Sequence, residues 1–426
     1  MTIQSAANLS RFSTLHHKSL SVMAKDLSNS DTASENGAVK VSDVDKIQLK
    51  NSEPGTGSQF KEFLKTVIRF SGDLSSLTCP AFFLNGLSLL EYGTYWGDHP
   101  QFFTAIPASS EPQERMLEVA RWFMSTLWGS YASRCTNGLN EKKPYNPVLG
   151  EQFFCNLGEV TCICEQVSHH PPISAFYLED EKAGISLNGH CGQKSKFKGT
   201  TIRIDQVGRA TLYLKKWDEQ YVLDFPVLNI KGVLTAAAYI DLSGICTIAS
   251  TSGAVSTIEF LPKPWFGGEA NCIKGSVKYK DTEYYTLSGR WSHKSYYSNA
   301  GESAKHLLFD ADAEPMAERK TAPLEEQHEF ETHKLWGPVT DALKVKNYQI
   351  ANAEKSKIED RQRQLKKERE TTHETWEPSL FEFLEDKSKK DQYVTRNTEL
   401  TEQMVGHHDL DKGAWTYSKS LHLRNN

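Results

Sequence analysis

The sequence predicts an α+β protein in which antiparallel β-sheet predominates. Between Glu151 and about Tyr297, short segments alternate apolar and polar residues or are rich in β-branched and aromatic residues, with turn-forming clusters between them. Because no long helical pattern interrupts this region, its strands must pair mainly antiparallel, in a sandwich or a barrel. Helical periodicity occupies both flanks of the strand region, and composition alone leaves the choice between sandwich and barrel open.

The first 57 residues differ from the rest of the chain. They are rich in Ser, Asn, Asp, Ala and Lys, and they run into a turn-forming cluster at 52–58. We interpret residues 1–57 as a disordered extension. Residues 1–25 carry basic residues and no acid, which leaves a mitochondrial transit peptide as an alternative interpretation.

A first helix is predicted from about Gln59 to Gly72. One apolar stripe at i, i+3, i+4, i+7 and i+8 comprises Phe60, Phe63, Leu64, Val67 and Ile68. A short amphipathic helix of this kind is usually docked permanently on a core. Tethered to a flexible extension, it can instead cover an opening in one state and rest on a bilayer in another.

Two further helical regions flank the strands. Met116 to Ser133 has the spacing of an ordinary core helix, whereas Leu335 to Glu370 is rich in charge. Within the second region, Lys355, Glu359 and Arg363 are spaced by four residues and share one helix face. This face is either a solvated set of ion pairs or one side of an anion-binding site.

Composition limits the functional classes. With 426 residues, of which 38% are hydrophobic, the chain can bury a large core, and the net charge of −5 argues against broad nucleic-acid binding. No apolar stretch has the length that a membrane span requires. Eight cysteines without tight pairing predict a reducing, cytoplasmic location.

The stretch Glu165 to Phe176 places His169 and His170 ahead of two prolines, between segments that read as strand. The prolines restrict the backbone, and the imidazoles can donate hydrogen bonds when charged, so this corner suits an anion. A surface turn is the ordinary alternative. A zinc site with Cys162 and Cys164 is a second one, but the spacing matches no common zinc pattern, and we predict no metal.

The loop from Glu141 to Glu151 is the third polar feature. Lys143 and Asn146 are separated by Pro144 and precede Pro147, so both side chains project from a stiffened loop. An ammonium group supplies charge and an amide supplies directed donors, a combination that suits a phosphodiester or an inositol ring. A plain surface loop is the alternative.

Three segments, taken in chain order, resemble the oxysterol-binding protein-related family of lipid-transfer proteins: the loop Glu141 to Glu151, the stretch Glu165 to Phe176 and the stripe of Lys355, Glu359 and Arg363. The segment Phe70 to Leu77 is similar as well, and the likeness covers about residues 58–420. The resemblance implies a large incomplete β-barrel around an apolar tunnel, with an N-terminal lid and helices and a C-terminal helical subdomain. It divides the chain into a lid at 58–78, helices and barrel at 79–300 and a C-terminal subdomain at 301–426, with 58–426 as one lipid-binding unit.

The resemblance also implies a phosphatidylinositol 4-phosphate site formed by Lys143, Asn146, His169, His170, Lys355, Glu359 and Arg363. His169, His170 and Arg363 are expected to hold the monoester phosphate. Lys143 and Asn146 are assigned to the rest of the head group, and Lys355 and Glu359 to inositol hydroxyls. We expect no catalytic residue and no cofactor.

The second ligand implied by the resemblance is a sterol, with phosphatidylserine as the alternative. The lid and tunnel residues expected to face it are Phe63, Leu74, Trp96 and Tyr131. The sequence departs from sterol-binding relatives at Ser130 and Cys191, where those relatives carry longer amides.

The function implied is exchange of sterol and phosphatidylinositol 4-phosphate between membranes, through mutually exclusive occupancy of one tunnel. We expect a monomer in the cytoplasm, peripherally associated with the endoplasmic reticulum and the Golgi or other phosphoinositide-bearing membranes. Two alternatives stay open: a phosphate-ester enzyme using His169 or His170, and a protein that sequesters phosphoinositide or senses sterol without net transport. No motif names the two organelles.

Overall fold

The computed structural model describes residues 57–70, 72–74, 77, 79–132, 142–169, 171–235, 239–264, 267–385, 399–400 and 413–425. Apart from Gly57, the predicted disordered extension and the alternative transit peptide lie outside these residues. His170 lies outside them as well.

Helix α1 spans Gly57–Arg69 and begins two residues earlier than predicted. Its apolar stripe is confirmed, because Leu64 and Val67 are 1% and 3% exposed. The predicted end at Gly72 is wrong, since the helix stops three residues before it. Gly72 does not adopt the left-handed conformation with which a glycine ends a helix, so the chain leaves α1 without that motif.

The chain then builds a compact helical layer. Its elements are β1 (Leu84–Ser88), a 3₁₀ helix (Leu89–Gly97), α2 (Pro100–Ala105), α3 (Pro112–Leu127) and a π-helical turn (Trp128–Ala132). Helix α3 begins four residues before the predicted start, with a proline in its first turn, where the missing N–H costs nothing. Met116 and Phe123 are buried, as the core interpretation requires.

The strand region forms one large sheet, and a short strand β2 (Lys143–Tyr145) pairs with β1 ahead of it. The strands of the sheet are β3 (Gln152–Leu157), β4 (Val160–His169), β5 (Pro172–Asp180), β6 (Ile185–Lys198), β7 (Thr201–Leu214), β8 (Glu219–Leu223), β9 (Val227–Lys231), β10 (Tyr239–Ser250), β11 (Ala254–Phe260), β12 (Cys272–Tyr279), β13 (Thr282–Arg290), β14 (Lys294–Asn299), β15 (His306–Asp310) and β16 (Arg319–Lys320).

This sheet has 14 strands and is antiparallel throughout. Most neighbours in the chain are neighbours in the sheet, which runs from β15 at one edge to β16 at the other; β9 pairs with β7 and β10 beside this path. The predicted antiparallel pairing is therefore confirmed.

The sheet curls around the helical layer. Helix α3 packs against β11, β12 and β15, while the 3₁₀ helix Leu89–Gly97 packs against β3, β4 and β5 and also touches α3. Strands from both halves of the sheet thus share one core. Among the described residues the two edge strands do not pair with each other. The architecture is an incomplete β-barrel, and the sandwich is excluded.

The C-terminal helical region contains two helices where the sequence predicted one. Helix α4 spans Thr332–Lys344 and helix α5 spans Tyr348–Thr372. Lys346 between them has a φ of 55°, which no helix continues through, and Asn347 caps α5. The single helix from Leu335 to Glu370 is therefore wrong, although the stripe within α5 stays intact.

The tail folds back on the body, as its aromatic residues predicted. Strands β17 (Phe381–Glu385) and β18 (Gly413–Tyr417) pair, and helix α6 spans Lys419–Asn425. Tyr417 stacks on Tyr177 of β5 with ring centroids 4.5 Å apart. The tail is thus attached to the outside of the barrel.

Candidate ligand-binding site

A cavity of about 1930 Å³ lies inside the curled sheet, with α1 forming part of its wall. Sites for drug-sized ligands have volumes of roughly 300–1,000 Å³, so this cavity has room for a larger molecule. The wall includes ten of the eleven site residues that the sequence predicted: Phe63, Leu74, Trp96, Tyr131, Lys143, Asn146, His169, Lys355, Glu359 and Arg363. The eleventh, His170, lies outside the described residues.

Helix α1 covers the cavity with its apolar stripe. Phe60 and Phe63 both pack on Phe83, with ring centroids 5.2 and 4.9 Å apart. Beyond the helix, Asp73 accepts hydrogen bonds from the backbone N–H and the Oγ of Ser195, each 3.0 Å long. A carboxylate thus ties this segment to strand β6 across the cavity.

The interior of the cavity is aromatic. Trp96 stacks on Phe176 of β5 with centroids 5.6 Å apart, and it also packs on Trp122 and Phe225. The indole N–H of Trp122 donates to the Trp96 carbonyl over 2.8 Å. This cage holds Trp96 in place, and an apolar molecule can lie against the cavity wall that Trp96 and Phe176 form.

One polar cluster interrupts the apolar interior. Tyr131 and Gln206 exchange hydrogen bonds of 3.0 and 3.2 Å, and the Gln206 amide also donates to the Pro226 carbonyl over 2.7 Å. Ser130 and Cys191 line the same cavity. Sequence analysis missed Gln206, because a single glutamine in a strand carries no signal until the fold shows which way it faces.

Lys143 and Asn146 lie at the cationic end of the cavity. Strand β2 carries Lys143, whose ammonium donates to the Asn146 side-chain oxygen, so the loop holds the two groups together. Between them Tyr145 is buried and stacks on Trp336 of α4, with centroids 4.4 Å apart. The stack anchors the loop and leaves the two polar side chains at the cavity wall.

Several charged groups share this end of the cavity. Lys355 of α5 is only 8% exposed and forms an ion pair with Glu359 one turn on. Burial lowers the pKa of Lys143, and the neighbouring positive charge of Lys355 lowers it further. Burial also raises the pKa of Cys79 to about 11, although both lysines oppose that shift. Two ammonium groups held this close favour an anionic ligand.

The third member of the α5 stripe is placed differently. Arg363 is exposed and pairs with Asp360 on its own helix, while still lining the cavity. The same wall continues along α5 through Lys366 and Arg369, which sequence analysis did not single out. Lys366 and Arg369 follow Arg363 by three and six residues and so extend the stripe. Helical periodicity was therefore the signal that could have found them.

His169 ends strand β4, where it pairs with Pro172 at the turn into β5. Its side chain is exposed at the cavity wall. Side chains from β2, β4 and α5, which are more than two hundred residues apart at the extremes, therefore line one cavity.

Glu151 is a buried carboxylate that positions the mouth of the cavity, the cationic end where Lys143 and Lys355 lie. It accepts hydrogen bonds from Ser88 Oγ at 2.6 Å, the Val148 N–H at 3.0 Å, Thr332 Oγ1 at 2.8 Å and the Trp336 indole N–H at 2.9 Å. Burial raises its pKa, and these four donors oppose the shift. One side chain thus joins β1, the loop after β2 and helix α4.

Glu165 is a second buried carboxylate, and it attaches the C-terminal tail to strand β4. Its two carboxylate oxygens accept from the Ser379 and Leu380 N–H groups at 2.7 and 2.9 Å, and burial raises its pKa to about 6. The chain just before these residues brings Trp376 to the cavity wall, against Gly150. The first residue of the predicted histidine motif is therefore a structural anchor for the mouth.

Two other kinds of site receive no support from the described part of the chain. No group of three or more His, Cys, Asp or Glu residues there is arranged to hold a metal ion, although the sulfurs of Cys162 and Cys164 lie 3.8 Å apart. Among the described helices, none is long and apolar enough to cross a membrane.

Comparisons with known proteins agree with this geometry. The family model described as oxysterol-binding protein matches residues 61–342. Protein kes1 of Schizosaccharomyces pombe is 38% identical over 373 residues, which cover 85% of this chain and 94% of that protein. The chain belongs to the oxysterol-binding protein family, a family of lipid-binding proteins.

Solved structures show the same fold. The Osh1 ORD domain in complex with ergosterol has a TM-score of 0.67 at 20% identity, covering 89% of this chain and 90% of that one. The Osh3 ORD of Saccharomyces cerevisiae in complex with PI(4)P has a TM-score of 0.60 at 21% identity, covering 78% and 88%. The predicted incomplete barrel with helices before and after it is confirmed.

Proposed function

We propose that this protein carries lipids between membranes, binding sterol and phosphatidylinositol 4-phosphate in one cavity, one at a time. The observation that supports this most directly is the single cavity, which joins an aromatic, apolar interior to a mouth with several cations. An amphiphile with an anionic head group matches both ends. Structural neighbours with a sterol or PI(4)P bound support the choice of these two lipids.

The head group is assigned to the mouth. Arg363, His169 and His170 hold the monoester phosphate, because forked guanidinium and imidazolium donors suit a doubly charged group. Lys143 and Asn146 bind the rest of the phosphoinositide head group. Lys355 and Glu359 orient inositol hydroxyls, since a carboxylate can only accept from them.

The apolar part of either lipid occupies the interior. Trp96 and Tyr131 contact it from within, and Phe63 and Leu74 face it from the segment 58–78, which acts as a lid. Because both lipids need this one space, binding of one excludes the other, and a phosphoinositide gradient then drives movement of the partner lipid. Residues 79–300 and 301–426 complete the lipid-binding unit, which acts as a monomer. No covalent step is required.

Phosphatidylserine is the alternative partner lipid. Ser130 and Cys191 line the same cavity as Gln206. The family resemblance implies longer amides at these two positions in sterol-binding relatives. A different polar head can fit where these side chains leave room. Exchange measured with phosphatidylserine in place of sterol separates the two alternatives. The protein associates peripherally with the membranes between which it carries lipid, namely the endoplasmic reticulum and the Golgi or other phosphoinositide-bearing membranes.

The assignment predicts the effect of removing both imidazoles. His169→Ala with His170→Ala is expected to abolish extraction of phosphatidylinositol 4-phosphate from liposomes, while sterol extraction persists, because sterol does not need the phosphate-binding donors. Extraction is measured by sedimenting the liposomes and assaying the lipid left with the protein.

The matched control is His306→Ala with His328→Ala, two exposed histidines that do not line the cavity. The control variant should extract both lipids as the unchanged protein does. Phosphoinositide extraction at the unchanged level by the His169 and His170 variant would refute the head-group assignment. Release of inorganic phosphate would favour the enzyme alternative, and extraction without exchange would favour a sequestering protein.

A further inference from the structure

The turn between α4 and α5 exposes two large aliphatic side chains within six residues. Val345 is 74% exposed and Ile350 is 50% exposed. Single exposed apolar residues are common on protein surfaces, but two within one short turn between helices are a candidate interaction surface. Val345 follows the last residue of α4, and Ile350 lies in the first turn of α5.

The backbone of this turn is well fixed. The N–H of Lys346 donates to the Leu343 carbonyl over 2.9 Å, and the N–H of Asn347 donates to the Ala342 carbonyl over 2.8 Å. The Asn347 side chain then accepts from the Ile350 N–H at 3.1 Å and caps α5. Because these hydrogen bonds already order the turn, its backbone loses little conformational entropy when the exposed apolar side chains bind a partner.

The inner side of the same hairpin belongs to the cavity. Leu343, Lys344 and Tyr348 line it. Tyr348 also contacts Phe82 edge-on, with centroids 6.4 Å apart, and Phe82 packs on Phe83, against which α1 rests. The exposed tip therefore stands on the rim of the cavity beside α1, and whatever it binds is brought to the mouth.

The head-group cations lie close behind the tip. Lys355 follows Ile350 by five residues of one helix, which is roughly 8 Å along the axis at about 1.5 Å per residue. Apolar side chains of peripheral proteins enter a bilayer by roughly 5–10 Å. Insertion of the tip would therefore place Lys355 at the level of the lipid phosphates, where a head group must pass from bilayer to protein.

The charge around the tip suits an anionic surface. Lys344 and Lys346 flank Val345 in the chain, and Lys344, whose exposed side chain lies at the cavity rim, pairs with Asp341 at 2.9 Å. Lysines beside an inserting apolar residue can extend their ammonium groups to lipid phosphates while their methylene stems pack against the acyl region.

We propose that Val345 and Ile350, with Lys344 and Lys346, form a tip that docks the cavity mouth on an anionic lipid bilayer. The bilayer is chosen as the partner because the tip is continuous with the rim through which a membrane lipid must enter. The inference rests on the proposed lipid-binding function, and it assigns the docking surface that this function requires in addition to α1.

The test variant is Val345→Asp with Ile350→Asp. Its control is Leu423→Asp with Leu324→Asp, which are 71% and 52% exposed and do not line the cavity. The full chain is mixed with phosphatidylcholine vesicles that contain phosphatidylserine, and bound protein is separated by flotation. Affinity of the tip variant is expected to fall about tenfold or more, since two aliphatic insertions are lost. The control should bind as the unchanged protein does.

A soluble short-chain phosphatidylinositol 4-phosphate, added without vesicles, reports the head-group site separately. The tip variant should bind it with unchanged affinity, which also shows that the variant is folded. Unchanged vesicle affinity of the tip variant, or an equal loss in the control, would overturn the docking proposal. If the unchanged protein binds vesicles through the tip but does not bind the short-chain lipid, the proposed function fails and the docking surface stands.

Discussion

At the scale of single residues, three buried carboxyl groups stand out. Burial raises the pKa of Asp98 to about 6, that of Glu165 to about 6 and that of Asp224 to about 7. Each of these groups therefore binds its proton more tightly in the folded protein than in the unfolded chain. The stability that follows is present at low pH and is lost as pH rises toward the folded pKa.

Asp224 provides a test of this linkage. Between its ordinary pKa of 3.8 and its folded pKa of about 7, the folded state holds an extra proton. The free energy of unfolding should thus decrease with pH by up to about 1.4 kcal/mol per unit because of this group. In Asp224→Asn this contribution disappears, so the decrease between about pH 4.5 and 6.5 should be shallower by that amount. Guanidinium unfolding at a series of pH values measures the slope.

Asp312→Asn is the control for this prediction, because Asp312 is exposed. Its slope should match that of the unchanged protein. An identical slope in the Asp224 variant would show that the carboxyl group titrates near its ordinary value despite its burial.

Residue identities in the site were partly visible in the sequence. The histidine pair, Lys143 and the α5 stripe stand out because their spacing or their neighbouring prolines constrain them locally. Gln206 and Asp73 do not, since each matters only through a partner far away in the chain, Tyr131 in one case and Ser195 in the other. Local spacing carries no information about such partners.

At the scale of elements, the segment after α1 is held by one carboxylate. Asp73→Ala removes both hydrogen bonds to Ser195, and hydrogen bonds to charged groups contribute about 1.5–3 kcal/mol each when buried. Because the Asp73–Ser195 contact is only partly buried, we expect the closed state of α1 to be disfavoured by about 1–2 kcal/mol. Faster hydrogen exchange of the α1 amides and faster ligand release are the measurements.

Glu62→Ala is the matched change on the same helix, where Glu62 is exposed and forms an ion pair with Lys65 at 3.0 Å. It should leave α1 exchange close to that of the unchanged protein. Equal exchange rates in the Asp73 variant and the unchanged protein would show that apolar packing alone keeps α1 in place.

Element boundaries were predicted less well than element types. Helix α1 stops before Gly72, and the predicted C-terminal helix is divided at Val345 to Asn347. Helical periodicity in the sequence continues through the second of these places. The division is decided by where Tyr348 and Trp336 can pack against the rest of the molecule, which no local pattern contains.

At the scale of the whole molecule, the proposal that both lipids compete for one cavity makes a thermodynamic prediction. The increases in the free energy of unfolding caused by the two lipids should not add. Each ligand at 100 times its Kd should raise the free energy of unfolding by about 2.7 kcal/mol. Two ligands that compete for one site should together give only about 3 kcal/mol, whereas two independent sites would give about 5.4 kcal/mol. Thermal unfolding with a soluble sterol analogue, a short-chain phosphatidylinositol 4-phosphate and both together measures the difference.

The control for additivity is the His169→Ala and His170→Ala variant, in which the sterol analogue should stabilise as before and the phosphoinositide should add nothing. In the unchanged protein, an increase in the free energy of unfolding with both ligands that equals the sum of their separate increases would mean that they occupy separate sites. That result would refute exchange through mutual exclusion.

The sequence by itself determined the elements that depend on near neighbours: a period-two strand region between helical flanks, an amphipathic first helix and three polar motifs. Only the tertiary structure decided that the sheet curls into an incomplete barrel instead of a sandwich, that its cavity is large, and that Lys143, His169 and Lys355 line this one cavity. The physical reason is the sequence distance over which each interaction acts. Side-chain alternation and helical spacing act over a few residues, whereas curling and cavity formation depend on packing between segments that are distant in the chain.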